Sequence, residues 1–135
     1  MESRKLERLN PADGTFTKRI LIADDASSSR ELLRSILERS GYDVVEAEDG
    51  EQVLEMAPKV VPDVIVLDLQ MAGMDGWATV AALRSHPELG RKPIVALAGA
   101  AMDVTADQMV KAGFSSYLVK PIGPRKLREC IAGLV

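Results

Sequence analysis

A single cysteine, Cys130, leaves this chain no partner for an internal disulfide, so a reducing compartment, the cytoplasm, is the expected location. No apolar run approaches the roughly 20 residues needed to cross a bilayer. The N-terminus, MESRKLERLNPADG, lacks the apolar stretch of a secretory signal, and no membrane association is expected. Charge of one sign is also missing: 17 Lys and Arg stand against 20 Asp and Glu, a net charge of −3. Nucleic-acid binding usually leaves a basic patch or an extreme pI, so no nucleic-acid partner is expected. There is one histidine, His86, placed before Pro87 at the end of a helical stretch with no kinase-like sequence around it. It reads as a structural surface residue rather than a phosphohistidine donor. No repeat, low-complexity segment or second domain is visible. What is present, 47% hydrophobic and 27% charged residues over 135 positions, suits one globular domain that buries its core without staples.

Residues 1–17 are polar and carry the turn signals Asn10-Pro11 and Asp13-Gly14. They read as a tail, with Leu6 and Leu9 able to give a short helix one weak apolar edge. The domain proper is expected over residues 18–135. From Arg19 short apolar runs alternate with amphipathic stretches, the pattern of β-α units around a parallel sheet. The strand-like runs are Ile20 to Ile22, Val44-Val45, Val64 to Leu67, Ile94 to Leu97 and Tyr117 to Val119. Val64 to Leu67 has no polar alternation, which predicts a strand covered on both faces.

Five helices are predicted between and after these runs. Ser28 and Glu31 have capping-box spacing before Leu32, Leu33, Ile36 and Leu37, and Gly41 supplies a stop. Asp49 caps a second helix carrying Val53, Leu54 and Met56, which is expected to end at Pro58. A third follows Gly76, with Trp77, Val80 and Ala81 on one side, and stops near Pro87. A fourth is expected from about Met102 to Lys111, ending at Gly113. The fifth starts near Pro124 and buries Leu127, Ile131 and Leu134. The result is an open, doubly wound α/β domain, whose ligand site lies at the carboxyl ends of its strands.

The charged residues fall at those ends. Asp24-Asp25 follows the first strand, Asp68 ends the third and Lys120 follows the fifth. Three carboxylates at one sheet edge repel one another. A hard divalent cation resolves the conflict, because carboxylate and carbonyl oxygens are its natural ligands. Magnesium there leaves one carboxylate able to attack phosphorus, and Lys120 adds a second positive charge for a phosphoryl oxygen. Either piece alone carries little weight: an Asp-Asp pair after a strand is usually a loop or a cap. Their joint placement at the right strand ends is what points to a site.

The segments ILIADD, DVIVLDLQMAGMDG, PIVALAGAAM and AGFSSYLVKPI resemble the four landmark segments of response-regulator receiver domains, over about residues 19 to 135. The wording DLQMAGMDG and AGAAM is most similar to receivers of hybrid kinases and phosphorelays. The resemblance implies a flavodoxin-like sheet of order 2-1-3-4-5. It implies Asp68 as phosphoacceptor, Asp25 as a direct Mg²⁺ ligand, Asp24 acting mainly through water, and the Gln70 backbone carbonyl as the last protein ligand. Lys120 would contact the phosphoryl group, and the bond to Pro121 would be cis. Two positions depart from the pattern. Ala98 stands where the family has a switch Thr or Ser, although the partner aromatic, Tyr117, is present. Ala72 stands where many relatives have Pro, with Gly73 and Gly76 still permitting a tight turn.

The expected function is that of a phosphoacceptor taking a phosphoryl group from a histidine kinase or histidine phosphotransfer protein. It would signal by contact with a downstream protein target or by onward phosphotransfer. The donor is expected to dock on the first helix, with Ser27, Ser28, Arg30 and Arg34 exposed, and across at Pro121-Ile122. The alternative is a receiver-like interaction module whose switching is weak or independent of phosphorylation, for which Ala98 is the sole argument. A metal-dependent phosphohydrolase is disfavoured, because Gln70 stands where the second acid of haloacid dehalogenase-like enzymes would be. No enzyme activity beyond the domain's own phosphorylation and dephosphorylation is therefore expected. Arg125, Lys126 and Arg128 read as a solvated face, and Trp77 as core packing.

Overall fold

The computed structural model describes residues 17–135. The tail up to Phe16, with Leu6 and Leu9, lies outside the described residues. The elements alternate strictly: β1 (Arg19–Ala23), α1 (Ser27–Arg39), β2 (Asp43–Ala47), α2 (Gly50–Val60), β3 (Val64–Asp68), α3 (Gly76–Ser85), β4 (Ile94–Ala98), α4 (Ala106–Ala112), β5 (Ser116–Val119) and α5 (Pro124–Ala132). All four strand pairs are parallel and the sheet order is β2-β1-β3-β4-β5.

Side-chain alternation divides the core in two. Leu21, Ile65, Leu67, Ile94 and Ala96 face a layer holding Val53, Ala57, Val80, Leu83 and Met109. Ile20, Ile22, Val64, Val66 and Leu97 face Leu33, Leu37, Leu127 and Ile131. Helices α2 to α4 therefore cover one face and α1 with α5 the other. This explains why β1, β3 and β4 are apolar without alternation. Each of the Val, Leu, Ile and Met side chains among these contributes about 1.5–3 kcal/mol by leaving water. Because every strand runs the same way, their carboxyl ends share one edge.

Several helix boundaries differ from the sequence expectation. Helix α1 starts two residues earlier and has no Ser28 cap. Ala26 takes that place, its N–H given to the Asp24 carboxylate at 2.9 Å and its carbonyl accepting from Arg30 N–H at 3.1 Å. Helix α2 is capped by Asp49 as expected, yet it runs through Pro58 and ends at Val60, with Val61 as its C-cap. Val61 carries φ +50°, a left-handed conformation that a β-branched residue rarely adopts. On α3, Ala81 is exposed and Thr79 is buried instead. Helix α4 begins four residues later than expected, where Thr105 and Gln108 close a reciprocal capping box. In α5, Leu127 and Ile131 are fully buried, while Leu134 lies past the end of the helix and is only partly buried.

Candidate functional site

Asp68 is the last residue of β3, flanked by β1 and β4, and only 4% exposed. One of its oxygens accepts the Gln70 N–H at 2.9 Å and the other accepts Lys120 Nζ at 2.8 Å. The same ammonium reaches Asp24 Oδ2 at 2.9 Å. Asp24 is fully buried, and its second oxygen holds the Ala26 N–H. Asp25 is exposed, with Oδ2 accepting the Ala72 N–H at 3.1 Å. The three carboxylates each offer an oxygen within 4.8 Å of the others, two of them buried and one open. The Lys120-Pro121 bond is cis, as expected. So the structure brings Asp24, Asp25, Asp68 and Lys120 together, with Gln70 in the adjoining loop.

Two buried carboxylates share one ammonium, and they respond differently. Burial drives the Asp68 carboxyl up from its ordinary value, and the Asp24 charge adds to that push. The Lys120 and Gln70 bonds offset only part of it. Burial also acts upward on Asp24, but bonds from Ser29, the Ala26 N–H and Lys120 outweigh it and hold that carboxyl below its ordinary value. Lys120 loses by burial and gains more from Asp68 and Asp24, so its ammonium is held above the ordinary lysine value. Without a metal, the pocket holds an excess of negative charge at an edge where Asp25 adds a third carboxylate. Oxygen donors of this number, one of them open to solvent, suit a hard divalent cation.

The loop from Leu69 to Asp75 is shaped by glycine. Gly73 takes φ +74°, and Gly76 packs so closely that a Cβ there would stand 2.6 Å from the Asp68 carbonyl oxygen. The N-terminus of α3 can thus lie directly against the end of β3. Trp77, half-buried, packs edge-on to Phe114 with ring centroids 5.9 Å apart, which is core packing. His86 ends α3, and its Nδ1 accepts the Glu88 N–H at 3.1 Å, a turn-forming role.

Ala98 is fully buried at the end of β4, and its carbonyl accepts the Lys120 N–H at 2.8 Å. Tyr117, on the neighbouring strand, is half-buried against the same core face as Met102. Sequence reasoning missed three contacts here. Ser29 bonds Asp24, the Ala72 N–H holds Asp25, and Met102 Sδ accepts the Gly99 N–H at 3.4 Å. The second was legible in principle, since Ala72 has the N–H that a proline would lack. The exposed Arg30 and Arg34 of the sequence reading are a correction. Both are partly buried and turned onto Glu46 of β2, at 3.2 and 2.7 Å. Arg34 also pairs with Glu38 at 3.1 Å.

Comparison with known proteins agrees with this architecture. The sequence profile of the response regulator receiver domain matches residues 20–132. The alkaline phosphatase synthesis transcriptional regulatory protein PhoP of Bacillus subtilis is 37% identical over 122 residues, covering 89% of this chain and 49% of that protein. The polar-differentiation response regulator DivK of Brucella ovis is 29% identical, over 86% of this chain and 94% of its own length. The chain spans about half the length of the first curated relatives it matches. Among solved structures, the chemotaxis response regulator CheY4 of Vibrio cholerae superposes with a TM-score of 0.81 at 29% identity, covering 88% of this chain and 99% of that one. A sensor histidine kinase receiver domain from Pseudomonas aeruginosa, solved with magnesium coordinated in its active-site cleft, gives 0.80 at 25% identity, covering 87% and 97%. With this match across nearly all of the described residues, and the same fold, the chain belongs to the response regulator receiver domain family.

Proposed function

We propose that this receiver accepts a phosphoryl group on Asp68 from a phosphohistidine protein, with Mg²⁺ held by Asp25, Asp68 and the Gln70 backbone carbonyl. The observation that carries the reading is the meeting of three carboxylates within 4.8 Å, two of them bridged by Lys120. Mg²⁺ would supply positive charge for the carboxylates and for the transferred group. Asp24 keeps both oxygens engaged by protein donors, which suits a role through water, whereas Asp25 presents an open carboxylate. One Asp68 oxygen attacks phosphorus as the donor's P–N bond breaks, and the imidazole leaves with the electron pair. Lys120 then faces a phosphoryl oxygen as well as Asp24. The intact set of Asp24, Asp25, Asp68 and Lys120 counts against a phosphorylation-independent module. A cytoplasmic location goes with this reading.

Incubation with acetyl phosphate and Mg²⁺ should add one phosphoryl group per chain, and a chelator should prevent it. No incorporation under those conditions overturns the proposal. Mg²⁺ should also stabilise the fold, by about 1.4 kcal/mol at ten times its Kd. The rise in melting temperature should shrink in Asp25→Ala. A rise of full size in that variant removes Asp25 from the ligand set.

The donor has a fitting approach. A groove of about 590 Å³ is lined by Ser28, Ser29 and Leu32 of α1 together with Lys120, Pro121 and Ile122. Leu32 is 58% exposed at its wall, while Arg30 and Arg34 are held by Glu46, so an apolar contact replaces the expected basic one. Leu32→Asp should slow transfer from the cognate phosphohistidine protein about tenfold or more, with acetyl phosphate little affected. Equal slowing with both donors would show that Leu32 acts on the pocket rather than on docking.

A further inference from the structure

The end of β4 lacks a hydroxyl, since Ala98 offers only its methyl group, and the donor that remains there is the next backbone N–H. Gly99 lies between the strand ends that carry Asp68 and Lys120. Leu69 N–H bonds Leu97 O at 3.0 Å on one side, and Lys120 N–H bonds Ala98 O at 2.8 Å on the other. The Gln70 side-chain oxygen comes within 3.2 Å of where a Gly99 Cβ would stand, so Gly99 directly adjoins the Asp68 loop. The Gly99 N–H is not given to a carbonyl. A tight turn, Met102 N–H to Gly99 O at 3.0 Å, folds the chain back so that Met102 Sδ accepts the Gly99 N–H at 3.4 Å. A thioether is a weak acceptor, and a bond to it is the cheapest kind to exchange.

We propose that Met102 is a positioning residue that holds the Gly99 N–H in reserve, releasing it to a phosphoryl oxygen when Asp68 is modified. The exchange trades a weak N–H···S contact for a charge-assisted N–H···O bond, so it runs forward only while the phosphoryl group is present. Met102 packs partly buried against the same core face as Tyr117 and Val104, so its release is felt at α4 and β5. In this chain the latch supplies a state-dependent contact where Ala98 cannot. The inference rests on Asp68 being the phosphoacceptor.

The test compares the natural chain with Met102→Leu, which keeps the bulk and removes the acceptor, and with Met102→Gln, which restores one. Amide exchange at Gly99 is followed by NMR, and beryllofluoride with Mg²⁺ serves as the phosphoryl probe. Met102→Leu should speed Gly99 exchange in the unmodified protein and tighten beryllofluoride binding, each by about two- to fivefold, the worth of one weak hydrogen bond. Met102→Gln should return both towards the natural values. A merely structural methionine would change the melting temperature and leave the affinity alone. If beryllofluoride binds the natural chain and Met102→Leu alters neither Gly99 exchange nor affinity, the latch is refuted. If no adduct forms on the natural chain, the phosphoacceptor reading fails first and takes the latch with it.

Discussion

Asp68→Asn should abolish both phosphoryl acceptance and the beryllofluoride adduct, and should leave the metal-free fold more stable at neutral pH. The first effect follows from removing the attacking oxygen. The second follows from where the carboxylate sits. Burial, reinforced by Asp24, raises the Asp68 carboxyl above its ordinary value of 3.8 despite Lys120 and Gln70. A carboxyl whose folded pKa lies above its unfolded pKa costs stability in its ionised form. That cost is absent below the unfolded value and grows as pH rises through the folded one. Asparagine keeps the shape and an oxygen for the Gln70 N–H without the charge. Lys120 retains Asp24 as its partner at 2.9 Å. The gain should be present at pH 7 and should fade in acid. Thermal melts with a chelator at both pH values check the stability, and intact-mass measurement checks the adduct. An adduct on Asp68→Asn would sink the assignment. A variant less stable at neutral pH would show that the charge of Asp68 supports the fold.

Much of this was legible in the sequence because the strongest signals are periodic. Unbroken apolar runs such as Val64 to Leu67, short and largely β-branched, read as strands covered twice, and the two core faces agree with that reading. The charged edge was legible because parallel strands all end on one side, so Asp24, Asp68 and Lys120 had to converge. Helix boundaries were less legible, since several residues compete for each. Ser28 had the spacing of a cap, yet Asp24 claims the Ala26 N–H and starts α1 earlier. Pro58 looked like a stop, yet the buried Ala57 keeps α2 on the core and accepts the Val61 N–H at 3.0 Å. The Thr105 and Gln108 capping box stands in the sequence and sets the start of α4 at Ala106, beyond the Met102 that the apolar pattern favours. Arg30 and Arg34 could not be placed from their own helix, because their partner Glu46 lies on another element.

Lys120→Met should be strongly damaging to the metal-free fold. Its ammonium is shared between two carboxylates whose side chains are 0% and 6% exposed, at 2.9 and 2.8 Å. Methionine keeps the length of the stem and removes the charge, leaving both carboxylates buried without a cation. Breaking a fully buried pair costs about 3–5 kcal/mol; with Lys120 itself 31% exposed, about 2–4 kcal/mol is the expected loss at pH 7. The pH dependence separates this from lost packing. Protonating Asp24 and Asp68 removes the uncompensated charge, so the gap between natural chain and variant should close on acidification. On the alkaline side, the folded Lys120 pKa lies above 10.5. Its contribution is complete below that value and is lost as pH rises through the folded pKa, so the natural chain should there approach the variant. Millimolar Mg²⁺ should restore part of the loss at pH 7, because it places positive charge on the same carboxylates. Melting curves across pH, with and without Mg²⁺, decide the matter. A deficit that is constant with pH and indifferent to Mg²⁺ would mean that Lys120 holds the fold through its methylene stem and not through its charge.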